Sequence, residues 1–178
     1  MTVIGSDDAE ADAVLAAAKL MVASARTAPK ARGIDKITAA IVTGEDKDRL
    51  AEKMTSIHEL PIPEERVKKQ VMNVKNADAV VLIGVKTDDV KDENERVMRL
   101  VDLGIAIGSA VKTASMLNID NRVMFTVGNA AKELELLEGD VIFGIPLSIR
   151  GSNIFFDRYD PLKSCWQEKL PPRKTGDE

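Results

Sequence analysis

Between Asp102 and Phe125 the chain runs DLGIAIGSAVKTASMLNIDNRVMF. The first two thirds read as a helix with almost no bulk on one side, where Gly104, Gly108 and Ser109 alternate with Ala106, Ala110 and Ala114. Glycine in a helix interior costs about 1 kcal/mol relative to alanine, and residues four apart share a face. A face this smooth implies close approach by another backbone, a flat ligand or a second copy of the same helix. Tight packing inside an ordinary core fits the spacing equally.

On the N-terminal side, Ser6 or Asp7 opens a helix with an acidic first turn. Ala11, Val14, Leu15, Ala18, Val22 and Ala25 keep its 3.6-residue period, and Pro29 and Gly33 end it. Ile37 to Thr43 reads as a buried strand. A helix follows from Asp46 to Ile57, a break at Leu60 to Pro63, and a further helix from about Glu64 to Val74. Ala79 to Val85, AVVLIGV, is a strand apolar on both faces. Thr87 or Asp88 opens a polar helical segment that runs into the glycine-bearing helix. Beyond it, strands are expected at Val123 to Val127 and Val141 to Ile145, with a short helix from Asn129 to Leu137 between them. Ile154 to Phe156 is a last strand or an extended arm. The length predicts one domain, residues 1–170, and a flexible tail at 171–178.

Hydrophobic residues make up 44% and charged residues 30%, ordinary for a globular chain, but aromatics are only 3%. The core is therefore built from Ala, Val, Ile, Leu and Met, and Met72, Met98, Met116 and Met124 read as core filling. A net charge of −4 and the lack of a basic, aromatic-interleaved patch argue against nucleic acid as a partner. The apolar run Ala13 to Ala25 is interrupted by Lys19 and preceded by acidic residues, and it is too short to cross a bilayer. No membrane partner is expected. One cysteine allows no internal disulfide, so the expected location is cytoplasmic.

Several chemistries lack their residues. With one histidine, His58, and one cysteine, Cys165, the chain offers no zinc site and no supported Cys–His or Ser–His–Asp mechanism. Neither G-x-G-x-x-G nor G-x-x-x-x-G-K occurs. The acidic run from Asp88 to Glu95 reads as a solvated helix start rather than a cation site.

Candidate binding residues lie in four places. In RTAPKARGID, Arg26, Lys30 and Arg32 flank a helix end at which Pro29 and Gly33 force a loop. Cations at a helix C-terminus are stabilising on their own account. Three in seven residues beside a glycine also suit a phosphate and a polar ring edge. Lys112 is either a snorkelling surface lysine or a phosphate or carbonyl contact. Gly128, ahead of a helix start in TVGNAA, offers free backbone N–H groups. In SIRGSNIFFDR, Arg150 and Arg158 could reach a phosphate.

The glycine-bearing segment resembles the central helix of the nitroreductase fold, in which D-x-G-x-A opens a helix at the dimer interface and a strand follows. More specifically, RTAPKARGID, ITAAIVTGEDKDRLAEKM, NADAVVLIGV, DLGIAIGSAVKTAS, DNRVMFTVGNAA and GDVIFGIPLSIRGSNIFFDR run in order through most of the chain. They resemble an uncharacterised family called ferredoxin-domain-containing proteins, a nitroreductase relative. Strands alternating with helices would normally suggest a parallel doubly wound sheet. The resemblance instead implies an α+β fold, a three-layer α/β/α sandwich with a mixed, largely antiparallel sheet. Members of the family carry a cysteine run between the second strand and the central helix. Here KTDDVKDENERVMRLV, Lys86 to Val101, holds no cysteine, so no iron–sulfur cluster is expected.

The resemblance further implies a homodimer through the Gly104/Gly108 helix, with flavin mononucleotide (FMN) at the subunit interface. By that implication Thr27, Pro29, Lys30, Arg32, Gly33 and Asp35 line the flavin, and backbone near Gly128 donates to flavin N5. Arg26, Lys112 and Arg158, read from the residues themselves, are further candidate cationic contacts. The asparagine common in the corresponding nitroreductase loop is absent, with Asp35 or Arg32 in its stead, and so is the arginine-rich N-terminal phosphate motif. The expected function is an FMN-binding oxidoreductase or flavoprotein with an external electron donor. The alternatives are a flavin-free small-ligand-binding or assembly protein on the same dimeric fold, and a purely structural dimer.

Overall fold

The computed structural model describes residues 3–56 and 62–156. Helix α1 spans Ser6–Thr27, strand β1 Ile37–Val42, α2 Gly44–Lys53, α3 Glu64–Asn76, β2 Ala79–Val85, α4 Glu93–Met116, β3 Asp120–Asn121, α5 Phe125–Glu133 and β4 Val141–Ser148. The strands form one sheet in the order β1-β2-β4-β3. Each neighbouring pair is antiparallel, with Ile37 opposite Val85, Ala79 opposite Leu147 and Asp120 opposite Ser148. The fold is the α+β sandwich implied by the resemblance, and among the described residues the parallel arrangement suggested by simple alternation does not occur.

The all-apolar β2 lies at the centre because it has helices on both sides. Ala79, Val81, Ile83 and Val85 face a layer made of α1 and α4. Val80 and Leu82 face α2, α3 and α5 through Leu50, Val74, Val127 and Ala131. Alternate side chains of a strand point to opposite faces, so a strand covered twice must be apolar throughout. Across the first layer, Ala17, Ala18 and Ala25 of α1 are buried with Ala106, Ala110 and Ala114 of α4. Such small side chains let the two helices pack closely enough for the Ser24 and Ser109 hydroxyls to meet at 2.8 Å.

Four local expectations are corrected. Val123 to Val127 is not a strand, because Phe125 already begins α5. Its segment pairs with the sheet only through a bridge between Met124 and Gly144. The cause is reciprocal close packing: a Cβ on Gly128 would lie 1.7 Å from the Ile142 carbonyl oxygen, and one on Gly144 would lie 2.2 Å from Val127 Cγ1. The helix thus sits directly on β4 and buries Thr126, Val127, Gly128, Ala130 and Ala131. Secondly, α4 starts later than expected, at Glu93, where the Asp92 side chain accepts the Asn94 N–H at 3.1 Å as an N-cap. At the start of α1, Gly5 holds the cap position and neither Ser6 nor Asp7 makes a side-chain cap. Finally, Met72 and Met116 are exposed rather than core filling. No helix among the described residues is long and apolar enough to cross a membrane.

Candidate functional site

The loop from α1 to β1 lies against the N-terminal half of α4. Arg32 and Gly33 both take left-handed backbone conformations, with φ of 54° and 68°. Glycine adopts this region freely, and the arginine is held there by its surroundings. The anchor is Asp102, whose two carboxylate oxygens accept the Ala31 N–H at 3.0 and 3.1 Å. Beside this contact a shallow cleft opens between loop and helix. It is lined by Ala31, Arg32, Ile34, Lys36, Met98 and Asp102 and has room for about one water molecule.

Not all the cations expected to serve a ligand are available. Arg26 pairs with Asp35 at 2.7 Å and also donates to the Ile37 carbonyl, while Asp35 Oδ1 accepts the Ile37 N–H at 3.0 Å. The pair closes the outer edge of β1. Lys30 is turned inward onto the Arg26 and Ala28 carbonyls at the end of α1, the helix-terminal role of a cation. Thr27 Oγ1 donates back to the Ala23 carbonyl at 3.0 Å, and Pro29 is exposed. Arg32 is exposed and has no ion-pair partner among the described residues. It is the cation of the loop left over for a ligand.

A second network borders the cleft. Arg99, almost buried on α4, pairs with Asp89 and with Glu95 at 2.8 Å and donates to the Lys86 carbonyl at 2.9 Å. Lys36 reaches Asp89 at 3.2 Å. These hydrogen bonds, from Arg99 first and Lys36 second, hold the Asp89 carboxyl at a pKa of about 2. Asp140 accepts the Thr87 and Asp88 N–H groups at 2.6 and 2.9 Å, and chiefly the Thr87 bond lowers its pKa. Arg99, Lys36 and Asp102 were not anticipated as site residues. The available signal was a pair of charges, Arg99 and Asp102, three apart in an otherwise apolar stretch of helix.

The Gly104/Gly108 face packs against nothing among the described residues: none of their atoms lies within 4 Å of where a Cβ would stand on either glycine. Val97, Val101, Ile105 and Met116 are exposed on the same helix, Val101 at 55% and Ile105 at 41%. With Gly104, Gly108 and Lys112 they recur at three- and four-residue steps. The result is a smooth apolar stripe with one lysine in it. Gly128 lies elsewhere, as the fourth residue of α5, buried against β4. Its N–H falls inside the helical ladder rather than among the free donors of a helix start. Arg150 is engaged by Asp78 at 3.6 Å and by the Asn76 carbonyl at 3.2 Å. Arg158, His58 and Cys165 lie outside the described residues. Among the described residues no group of three His, Cys, Asp or Glu side chains is placed to hold a metal ion.

Known proteins similar to this chain divide into two kinds. An uncharacterized protein of Archaeoglobus fulgidus is 36% identical in an alignment 180 positions long that covers 87% of this chain and 97% of that protein. Solved structures supply the fold. A nitroreductase family protein from Clostridium novyi NT matches with a TM-score of 0.56 at 16% identity, over 84% of this chain and 77% of that one. A putative nitroreductase from Desulfovibrio desulfuricans, solved in complex with FMN, matches with a TM-score of 0.57 at 15% identity, over 88% and 86%. At these identities the likeness establishes a nitroreductase fold and nothing finer. Residues 94–158, from the first turn of α4 past the end of β4, match the family model described as "Uncharacterized protein containing a ferredoxin domain (DUF2148)". With the extended match to the Archaeoglobus protein, this shows that the chain belongs to that family.

Proposed function

We propose that the protein is a cytoplasmic homodimeric flavoprotein that binds FMN where the loop from Arg26 to Asp35 meets α4, and that it exchanges electrons with an external donor. The observation that carries this reading is the open Gly104/Gly108 stripe. A single subunit offers a cleft for about one water molecule, far too small for a flavin. The stripe runs beside the cleft, its Val97 and Val101 being the chain neighbours of the cleft residues Met98 and Asp102, so a second copy on it would extend the cleft walls. An exposed apolar patch of this kind marks an association surface, and glycines on it allow the closest helix approach.

The chain fits the cofactor in part. Arg32 and Lys112 are cations without an ion-pair partner among the described residues, suited to a phosphate. Left-handed Arg32 and Gly33 bring backbone close to the cleft. FMN, when bound, supplies the redox chemistry, so no acid, base or nucleophile is demanded of the side chains. The engagement of Arg26 and Lys30 within the chain favours a second reading, a flavin-free dimer that binds another phosphate-bearing or small ligand at Arg32.

Near-ultraviolet and visible absorbance of the purified protein, before and after FMN addition and desalting, separates the two. Retained flavin bands near one per subunit are expected. A spectrum without them both times would give the second reading the site. Gly108→Leu should then split the dimer under either reading, and should release a cofactor only under the first.

A further inference from the structure

Asp102 has unused hydrogen-bonding capacity in a nearly dry position. It is 8% exposed, and both oxygens share one donor, the Ala31 N–H. It enters no ion pair among the described residues. A carboxylate accepts at about four lone-pair positions, and burying its charge unpaired is expensive. Anchoring one backbone N–H does not require that expense, because an asparagine oxygen would serve. The other buried charges are fully occupied. Lys47 meets Asp48 and the Val74 and Lys75 carbonyls at the end of α3, and Arg99 meets Asp89, Glu95 and the Lys86 carbonyl. Among the described residues Asp102 alone combines burial, spare acceptor positions and a place in the wall of a cleft.

We propose that Asp102 is the acceptor of the ligand site, taking an N–H of a planar heterocycle bound between the loop and α4. The inference deepens the flavin reading and rests on it: the oxidised isoalloxazine carries one ring N–H flanked by two carbonyls. Arg32, in the same cleft, stands beside Asp102 as a donor. In this account Asp102 has two duties. One oxygen position fixes Ala31 and with it the loop, and the remaining lone pairs face the ligand.

Asp102→Asn separates the duties. The amide oxygen can still hold Ala31, while the NH2 group presents donors where the carboxylate presented acceptors. Melting temperature without ligand, dimer mass, and titrations with riboflavin and FMN are compared with the parent protein. Riboflavin assigns any loss to the ring rather than to the phosphate. The proposal expects an unchanged dimer, a melting temperature equal to or above the parent's, and at least about tenfold weaker binding of both flavins. Undiminished flavin binding would overturn it and leave the flavin reading intact. If the parent protein itself binds neither riboflavin nor FMN, the flavin reading fails, and the proposal, which rests on it, is overturned with it.

Discussion

Arg26 and Asp35 sit on the outer edge of β1, where they satisfy both the N–H and the carbonyl of Ile37. An unpaired edge strand invites pairing with another chain, and charged side chains on it are a common defence. Arg26→Ala is expected to lower unfolding free energy by about 1 kcal/mol in urea titrations, the worth of a hydrogen-bonded, partly exposed charge pair. Its effect on flavin binding should be small. Asp89 carries the clearest pH dependence. Its folded pKa of about 2 lies below the ordinary aspartate value of 3.8. The stability it contributes is therefore fully present above pH 4 and is lost as pH falls through the folded value. Asp89→Asn should flatten the decline of stability between about pH 4 and pH 2, and an unchanged decline would assign it to other carboxylates. The loop was legible in the sequence as a cluster of cations at a helix end. Which of them is free was not, because Arg26 is claimed by a residue nine positions on. The loop's anchor, Asp102, lies 71 positions from Ala31.

Elements with a strong period were the readable ones. β2 has no polar residue to disturb its pattern and matches its expected bounds, and α1 keeps its helical period almost to its end. The segment from Val123 to Val127 failed because VMFTV is short, apolar and compatible with either period. What turns it into a helix is the contact of Gly128 and Gly144 across α5 and β4, which only the assembled sheet creates. Two glycine substitutions on helices should consequently have opposite signs. Gly128→Ala forces α5 off β4 and is expected to cost about 3 kcal/mol, at the upper end for overpacking. Gly104→Ala meets nothing within 4 Å and should stabilise the isolated subunit by about 1 kcal/mol through helix propensity. Chemical denaturation at low protein concentration checks both, since association would otherwise enter the second value.

For the whole molecule, alternation of strands and helices pointed toward a parallel sheet, and only the resemblance to nitroreductases pointed to the antiparallel order that the strands adopt. Periodicity records which faces are buried but not the direction of the neighbouring strand, so both topologies satisfy it. The same limit applies to the glycine stripe. Spacing shows a smooth face, and among the described residues that face is open, while the copy proposed to cover it is a second molecule. Ile105→Glu, which places a charge in the middle of the stripe without touching the subunit core, should halve the mass in solution and leave the fold intact by circular dichroism.

Analytical ultracentrifugation, recorded at a protein wavelength and at a flavin wavelength after FMN loading, joins the fold, the dimer and the cofactor in one observation. Flavin absorbance is expected to sediment with a single species of twice the 19.4 kDa chain mass, and in Gly108→Leu with neither that species nor the monomer. A parent protein that sediments as a monomer, or as a dimer without flavin absorbance, would contradict the account.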